Sequence, residues 1–323
     1  MSLPTLTATY RVVTPMFIGG ADPQGAPELR APSFKGVLRF WWRALAWDRF
    51  GHDLKRLRDE EAALFGSSDA GQSKIRLQLF PDNCTVGDSA GRWSRNGWED
   101  YAGYGLRDAD RRPWAPGTMR VEITARTVDV LCRDDLLAAL KLLGLCGGLG
   151  ARSRNGWGSL TLLNLRGAAT WDAPRDRSSL HNAIAEILMS SSGPIPPYTA
   201  ISRDAAFAVG KECRSATEAH KYLSTVYRDN VQAAKGAHKD RRQFGLPRTG
   251  LSADQRDQRR AKPLFLHVHE TEEGAPAFPV ALYLPADFLP KEQQIPSRGA
   301  EIRNLIDDVK KGKNPPPQGG RRR

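Results

Sequence analysis

The first 166 residues carry strand and helix patterns in an order that few folds accommodate. Alternating apolar and polar side chains predict strands at residues 6–13, 74–80, 118–126 and 159–165. Helical periodicity predicts helices at residues 34–50, 54–65 and 134–145, with Ser33 as the N-cap of the first. Apart from the additional helix at 54–65, the order is βαββαβ. This order predicts a ferredoxin-like domain, in which two helices cover a sheet of four antiparallel strands.

The second half of the sequence is less regular, but it predicts elements of the same kinds. We expect helices at residues 179–190, 215–235 and 300–310, and strands at 264–269 and 278–284. A change of pattern near residues 168–178 predicts one domain over residues 1–170 and a second over 171–309. The expected fold class is therefore α+β, with two ferredoxin-like (βαββαβ) domains in tandem. The same topology is RRM-like, since RNA recognition is one of several uses of this fold.

Half of the positive net charge lies at the C-terminus. The net charge is +12, and residues 310–323 contain six basic and no acidic side chains. This tail has no apolar content and should be disordered; it either adds loose affinity for nucleic acid or has no role. Residues 236–262 are also basic and poor in apolar side chains, which predicts an exposed or mobile segment. A nucleic-acid site in the folded part must therefore come from local clustering of charge.

Residues 147–158, which we call the glycine loop, contain five glycines together with Arg152, Arg154 and Asn155. Glycine lets a ligand approach the main chain closely, and backbone N–H groups beside arginine side chains suit phosphate oxygens. The loop follows a predicted helix and leads into a strand, the reverse of a dinucleotide-binding fingerprint. The pattern favours a phosphate or RNA contact, and the alternative is a flexible turn that glycine merely permits.

The helix predicted at residues 34–50 carries Lys35, Arg39 and Arg43 at i, i+4 and i+8, which places the three cations in one stripe. Cations aligned without acidic partners repel one another and are favoured beside a polyanion; a solvated face is the alternative. We expect Trp42 on the surface next to this stripe, where its ring can stack a base. The predicted RNA-binding surface combines the stripe with Gly19, Gly20, Arg152 and Arg154.

An insertion of thirty-seven residues, 81–117, separates the second and third predicted strands. A hairpin needs only about two to five residues. The insertion interleaves aromatic and basic side chains, namely Trp93, Trp98, Tyr101, Tyr104 and Trp114 with Arg92, Arg95, Arg107, Arg111 and Arg112. Such a mixture can stack bases and hold phosphates, but it can also form its own hydrophobic cluster or a protein interface.

Several classes of protein are disfavoured by what the sequence lacks. The four cysteines, at positions 84, 132, 146 and 213, form no CxxC pair, so neither a zinc site nor a redox motif is predicted, and no cofactor is expected. There is no apolar run long enough for a transmembrane helix and no signal-peptide pattern at the N-terminus. We therefore expect a cytoplasmic protein with no membrane partner.

Three groups of motifs occur together: TPMFIGG at residues 14–20, ELRAPSFKGVLRFWWRA at 28–44 with LFG at 64–66, and GGLGARSRNGWGS at 147–159. This combination resembles the RAMP superfamily of CRISPR proteins and, more narrowly, the family of first subunits of the Cmr module in type III-B effector complexes. Residues 263–268 resemble the second half of that family more weakly.

The resemblance implies two ferredoxin-like domains and a non-catalytic, RNA-binding subunit of an antiviral ribonucleoprotein. Such a subunit caps the complex near the 3′ end of the crRNA, helps to bind the guide–target RNA duplex, and contacts crRNA, target RNA and other Cmr-module subunits. A different subunit cuts the target.

The candidate site has no catalytic and no metal-binding residue. The resemblance implies RNA contacts for Arg30, Lys35, Arg39, Trp42, Arg43, Arg152 and Arg154. The full candidate RNA-binding set is Gly19, Gly20, Arg30, Lys35, Arg39, Trp42, Arg43, Arg152, Ser153, Arg154, Asn155 and Trp157.

Two other functions stay open on the sequence. Some RAMP relatives process CRISPR repeat RNA with a histidine as general acid or base, and His52 is the histidine nearest the expected surface. Its ordinary role would be to stabilise the negative end of a helix. His267 and His269 share one face of a strand without a third metal ligand, so we interpret them as packing or surface residues. The second alternative is a purely structural adaptor that contacts only other subunits.

Overall fold

The computed structural model describes residues 3–20, 22, 25–189, 191–234, 241–245, 261–287 and 299–312. Its larger sheet contains β1 (Thr5–Val12), β2 (Ile75–Phe80), β3 (Gly117–Ala125), β4 (Leu160–Gly167) and β5 (Trp171–Asp172). The strand order is β2-β3-β1-β4-β5, and every pair is antiparallel. The first four strands therefore have the order of a split βαβ fold, as the sequence predicted.

The helices of the first half are α1 (Ala31–Arg49), α2 (Leu54–Phe65), α3 (Trp98–Ala102), α4 (Val128–Leu131) and α5 (Asp134–Cys146). Tyr10 of β1 joins α1 and α5 to the sheet, because its ring packs edge-on against Phe34 at 5.6 Å and its hydroxyl donates to the Leu140 carbonyl. The prediction that Ser33 caps α1 is wrong. The N-cap is Arg30, and Pro32 lies in the first turn, where its fixed φ favours helix initiation.

The second half contains α6 (Arg177–Leu188), β6 (Ala206–Val209), α7 (Ala216–Ala233), β7 (Leu264–His269), β8 (Phe278–Tyr283) and α8 (Ala300–Lys311). Its sheet has the order β6-β8-β7, again antiparallel. An α+β fold with antiparallel sheets is thus confirmed. The described residues supply three strands to this sheet, so the tandem ferredoxin-like arrangement is not confirmed.

The first sheet and α8 each extend past a predicted domain boundary. Trp171 and Asp172 pair with β4, so the first sheet extends just past the predicted division at residue 170. Most of the segment predicted to be exposed, 236–262, and the tail from residue 313 onward lie outside the described residues. Lys310 and Lys311, placed at the start of that tail, end α8.

The two halves are joined by buried polar contacts. Arg11 of β1 forms an ion pair at 2.9 Å with Glu270, which follows β7, and both side chains are less than a tenth exposed. Three buried histidines of the second half reach carbonyl oxygens of the first half and of the segment after β5. His220 bonds to Asn155, His267 to Gly147 and His269 to Pro174. These contacts fix β7 and α7 against the glycine loop.

Candidate nucleic-acid interface

The glycine loop packs directly against the segment that follows β1. The Ala151 N–H donates to the Phe17 carbonyl at 2.7 Å, and the Gly158 N–H donates to the Pro15 carbonyl at 3.0 Å. Gly150 has a φ of +96°, and a Cβ at this position would lie 2.5 Å from the Phe17 oxygen. The glycine loop and the loop after β1 are therefore in contact, as expected. The close contact requires glycine, and these bonds give the loop a defined shape.

The other side of the loop is bonded to the second half. The Leu266 N–H donates to the Arg154 carbonyl at 3.2 Å, and the two strands of chain form a parallel bridge at Asn155 and Leu266. Gly156, with a φ of +90°, lies so close to the His220 ring that a Cβ would be 2.8 Å from it. Much of the loop therefore lies inside the contact between the two halves.

Arg154 lies at this contact between the two halves. Its guanidinium lies 4.5 Å from the ring centroid of Phe265 and 5.2 Å from that of Phe40, and it donates to the Lys262 carbonyl. Burial lowers the pKa of this side chain to about 10. The aromatic side chains of α1 and β7 pack against the guanidinium, and Arg154 is half-buried, so its contact with RNA stays a prediction.

Asn155 and Trp157 are also occupied within the protein. The Asn155 amide donates to the Ala102 carbonyl at 2.7 Å and accepts from the Lys262 ammonium at 2.6 Å. Trp157 is only 2% exposed and lies between the parallel rings of Trp93 and Trp98, with centroids at 4.7 and 6.0 Å. Trp157 is therefore not accessible to RNA, which corrects that prediction, whereas Asn155 is half-buried and its contact with RNA stays a prediction.

Arg152 and Ser153 form the outward part of the glycine loop. Arg152 is exposed, its φ is +61°, and its Nε donates to the Tyr104 carbonyl at 2.9 Å. A left-handed backbone at a residue with a side chain costs energy and often marks a functional position. Ser153 is half-buried. Arg152 is the most exposed member of the predicted loop set, and Ser153, Arg154 and Asn155 are all half-buried.

The cationic stripe of α1 has an acidic partner that the sequence did not reveal. Glu61 of α2, 5% exposed, lies 2.7 Å from Arg39 Nε and 3.4 Å from Arg43 Nη1. The expectation of cations without acidic partners is therefore wrong for these two arginines. Lys35 has no ion-pair partner among the described residues, and burial and the charge of Arg39 lower its pKa.

Trp42 does not lie on the surface. Its side chain is 0% exposed, and its ring centroid lies 5.8 Å from that of Phe50 and 5.9 Å from that of Phe65. The prediction that Trp42 stacks a base is wrong, because α2 packs over the side of α1 that a helical wheel leaves open.

The two glycines after β1 have different neighbours. A Cβ at Gly19 would lie 2.7 Å from Nη2 of Arg111, whereas a Cβ at Gly20 would lie 2.5 Å from the carboxyl carbon of Glu28. Gly19 therefore lies beside a cationic side chain and Gly20 beside an acidic one. Arg30, the N-cap of α1, is exposed and has no ion-pair partner in the described part of the chain.

The insertion forms its own hydrophobic cluster, which was one of the alternatives. Phe17, Trp93, Trp98, Leu106 and Trp157 pack together at its centre. Two of its side chains still face outward near the glycine loop: Tyr104 is 75% exposed, and Arg111 lies over Gly19. The candidate set omitted both, although the mixture of aromatic and basic residues had pointed to the insertion.

The histidines show structural contacts. His52 lies 2.9 Å from Asp48, one helical turn earlier, and its ring packs against Trp47 at 5.2 Å. His267 and His269 are buried, so packing is their role and the surface alternative is wrong; burial lowers their pKa values to about 3 and about 4. The described residues contain no group of three or more metal-ligating side chains and no helix long and apolar enough to cross a membrane.

Comparison with known proteins agrees with the motifs. Residues 9–161 match the RAMP superfamily. The CRISPR system Cmr subunit Cmr1-1 of Pyrococcus furiosus is 28% identical over 295 residues, covering 82% of this chain and 83% of that protein. Subunit Cmr1-2 of the same organism is 28% identical over 175 residues, covering 48% of this chain and 92% of that protein.

Solved structures show the same fold. The apo crystal structure of Cmr1 from Pyrococcus furiosus superposes with a TM-score of 0.63 at 22% identity, covering 94% of this chain and 96% of that one. A chain from a type III-B Cmr-β assembly bound to cognate target RNA superposes with a TM-score of 0.60 at 12% identity, covering 95% and 99%. The family match identifies residues 9–161 as a RAMP-superfamily region, in agreement with the strand order and the glycine loop. Within that superfamily the chain is similar to the Cmr1 subunits.

Proposed function

We propose that this chain is a non-catalytic, RNA-binding subunit of a type III-B CRISPR (Cmr) ribonucleoprotein in the cytoplasm. Similarity to Cmr1-1 supports the assembly, and the Cmr-β assembly that contains a chain of this fold is bound to cognate target RNA. In this proposal the chain caps the complex near the 3′ end of the crRNA. There it helps to bind the guide–target duplex and contacts neighbouring Cmr subunits.

One observation carries the RNA-binding part of the proposal. Arg30, Lys35, Arg111 and Arg152, which we call the basic end, have no ion-pair partner in the described part of the chain. They lie where β1 ends, β4 begins and α1 starts. Unpaired cations at one end of a sheet attract a polyanion, because binding releases the counterions of the phosphates.

Arg39 and Arg43 contribute less than the sequence implied. A single carboxylate, Glu61, lies against both arginines, so the three side chains together carry one net positive charge. The role of the stripe in RNA binding therefore falls mainly on Lys35.

The double variant Lys35→Ala, Arg152→Ala tests the proposal in the assembled complex. We expect weaker binding of target RNA and a salt dependence flatter by about 1 to 2 in the slope of log K against log salt, because two phosphate contacts are lost. Arg126→Ala is the matched control, since Arg126 is exposed and follows the end of β3, at the opposite end of the sheet. Unchanged affinity and slope in the double variant would contradict RNA binding and favour the structural adaptor.

We also propose that the chain does not cleave RNA. The contacts of His52 with Asp48 and Trp47 are those of a side chain that completes a helix end. The check is to incubate the full chain with CRISPR repeat RNA. Specific cleavage that disappears in His52→Ala would overturn the proposal in favour of a repeat-processing nuclease.

We infer that the second half also has a ferredoxin-like topology. β6, α7, β7, β8 and α8 follow one another in the order βαββα, and β8 lies between β6 and β7. The first half places β3 between β1 and β2 in the same way, which supports this inference.

A further inference from the structure

Tyr104 stands out from the surface of the insertion. At 75% exposure, it is the one aromatic side chain in the described ranges that lies largely in solvent. Tyrosine is enriched at interfaces, because its ring supplies apolar contact area and its hydroxyl can form a hydrogen bond. The neighbouring Trp93 and Trp98 are instead packed into the cluster with Trp157.

Backbone hydrogen bonds and buried side chains fix the tip of the insertion that carries Tyr104. The Gly103 N–H donates to the Glu99 carbonyl at 2.7 Å, and the Leu106 N–H donates to the Gly103 carbonyl at 2.8 Å. Leu106 is buried, and a Cβ at Gly103 would lie 2.5 Å from the Trp93 ring. The fold therefore presents the Tyr104 ring at a defined place.

Arg152 contacts the backbone of this tip, and Arg111 belongs to the same insertion. Arg152 bonds to the Tyr104 carbonyl through Nε, and its Nη2 lies beside Gly105, 3.6 Å from where a Cβ would be. The φ of +61° at Arg152 shows that its backbone adopts a costly conformation to reach this position. Arg111 of the same insertion lies over Gly19, two residues beyond the Phe17 carbonyl that binds the glycine loop.

We propose that Tyr104 is a stacking platform for one base of single-stranded RNA, with Arg152 and Arg111 holding the adjacent phosphates. This inference rests on the proposed RNA-binding function and assigns it a contact. An exposed ring on a surface that also carries guanidinium groups suits a base and its backbone, and stacking of this kind tolerates any sequence. The bases of a duplex are already stacked on each other, so the platform selects an unpaired segment.

The test compares Tyr104→Ala, Tyr104→Phe and Tyr104→Trp in the assembled complex. We expect Tyr104→Ala to weaken binding of target RNA with an unpaired end by roughly five- to a hundredfold, because one base–aromatic contact is lost. Binding of a target without unpaired nucleotides should not change. Phe and Trp should restore affinity, and the salt slope should stay as in the unaltered complex. Met189→Ala is the control, since Met189 is 81% exposed.

A second readout locates the contact. A 4-thiouridine placed in the unpaired end should crosslink to the tip around Tyr104 in the unaltered complex, and the crosslink should be lost in Tyr104→Ala. Normal binding by Tyr104→Ala, together with weaker binding by the Lys35/Arg152 double variant, would overturn the platform and leave the proposed function standing. Loss of a neighbouring subunit from the Tyr104→Ala complex would overturn the platform in favour of a protein interface. Unchanged binding in both variants would reject the proposed function as well.

Discussion

Glu61 determines how much of the α1 stripe is available to RNA. Its buried carboxylate contacts both Arg39 and Arg43, whose side chains are 35% and 42% exposed. Removing one member of such a group leaves the others with uncompensated like charge. Glu61, which lies outside the motif, therefore determines how much positive charge Arg39 and Arg43 present.

We expect Glu61→Gln to lower the free energy of unfolding by about 1–2 kcal/mol, because the two arginines lose their shared partner while remaining partly solvated. The same change should increase RNA affinity and steepen its salt dependence, since both arginines become free to meet phosphates. Urea unfolding and RNA titration at several salt concentrations measure the two effects. Glu60→Gln is the control, because Glu60 is 40% exposed and lies 3.9 Å from Arg133. An unchanged salt slope in Glu61→Gln would show that the stripe faces no RNA.

Individual residues were the hardest feature to predict from sequence. The periodicity of α1 correctly separated charged from apolar positions, but a helical wheel shows only one helix. Trp42 is buried because Phe50 and Phe65 pack against it, and Arg154 is half-buried because Phe265, in a distant strand, packs against it. Burial of this kind depends on long-range packing, which local spacing does not encode.

Elements were predicted far better than residues. The bounds of α2 match the prediction, and those of the six predicted strands lie within two residues of it, whereas the short strands β5 and β6 and the short helices α3 and α4 were not predicted. These elements have strong local signals, such as Asp53, whose side chain accepts hydrogen bonds from the N–H groups of Lys55 and Arg56 at the start of α2. The start of α1 was missed because Arg30 caps the helix without a side-chain hydrogen bond.

At the scale of the glycine loop, we expect Gly158→Ala to destabilise the protein. Gly158 has a φ of +60°, and a Cβ there would overlap the carbonyl oxygen of Leu149. The left-handed backbone alone costs about 1–3 kcal/mol for a residue with a side chain. Gly36→Ala is the control, because no atom lies within 4 Å of its added Cβ in the middle of α1. That control should stabilise the helix by about 0.5–1 kcal/mol. Equal melting temperatures for both variants would contradict the close packing of the loop.

The whole molecule depends on neutral histidines at the contact between its halves. Burial lowers the pKa of His220 and His269 to about 4, and burial with the nearby His269 lowers that of His267 to about 3. In the unfolded chain a histidine has a pKa of about 6.5. Below about pH 6.5 these histidines bind protons in the unfolded chain but stay neutral in the folded chain, so acid favours unfolding.

We therefore expect the free energy of unfolding to be independent of these groups above about pH 6.5 and to fall between about pH 6.5 and 4. Each histidine contributes a slope of about 1.4 kcal/mol per pH unit in that window. His269→Gln, which can still donate to the Pro174 carbonyl, should remove one such contribution. Urea unfolding at pH 7.5 and 5 measures the slope, with the exposed His181→Gln as control. A slope that is the same in His269→Gln would show that this ring is protonated in the folded protein.

The bridge between Asn155 and Leu266 also has a consequence for the order of folding. During synthesis, β1, α1 and β4 emerge early and can pack together, but until α7 and β7 are made the inner side of the glycine loop lacks its partners. Arg154 then lacks Phe265, and Asn155 lacks Lys262. The inner side of the glycine loop therefore reaches its final contacts late, although the loop itself is translated before α7 and β7.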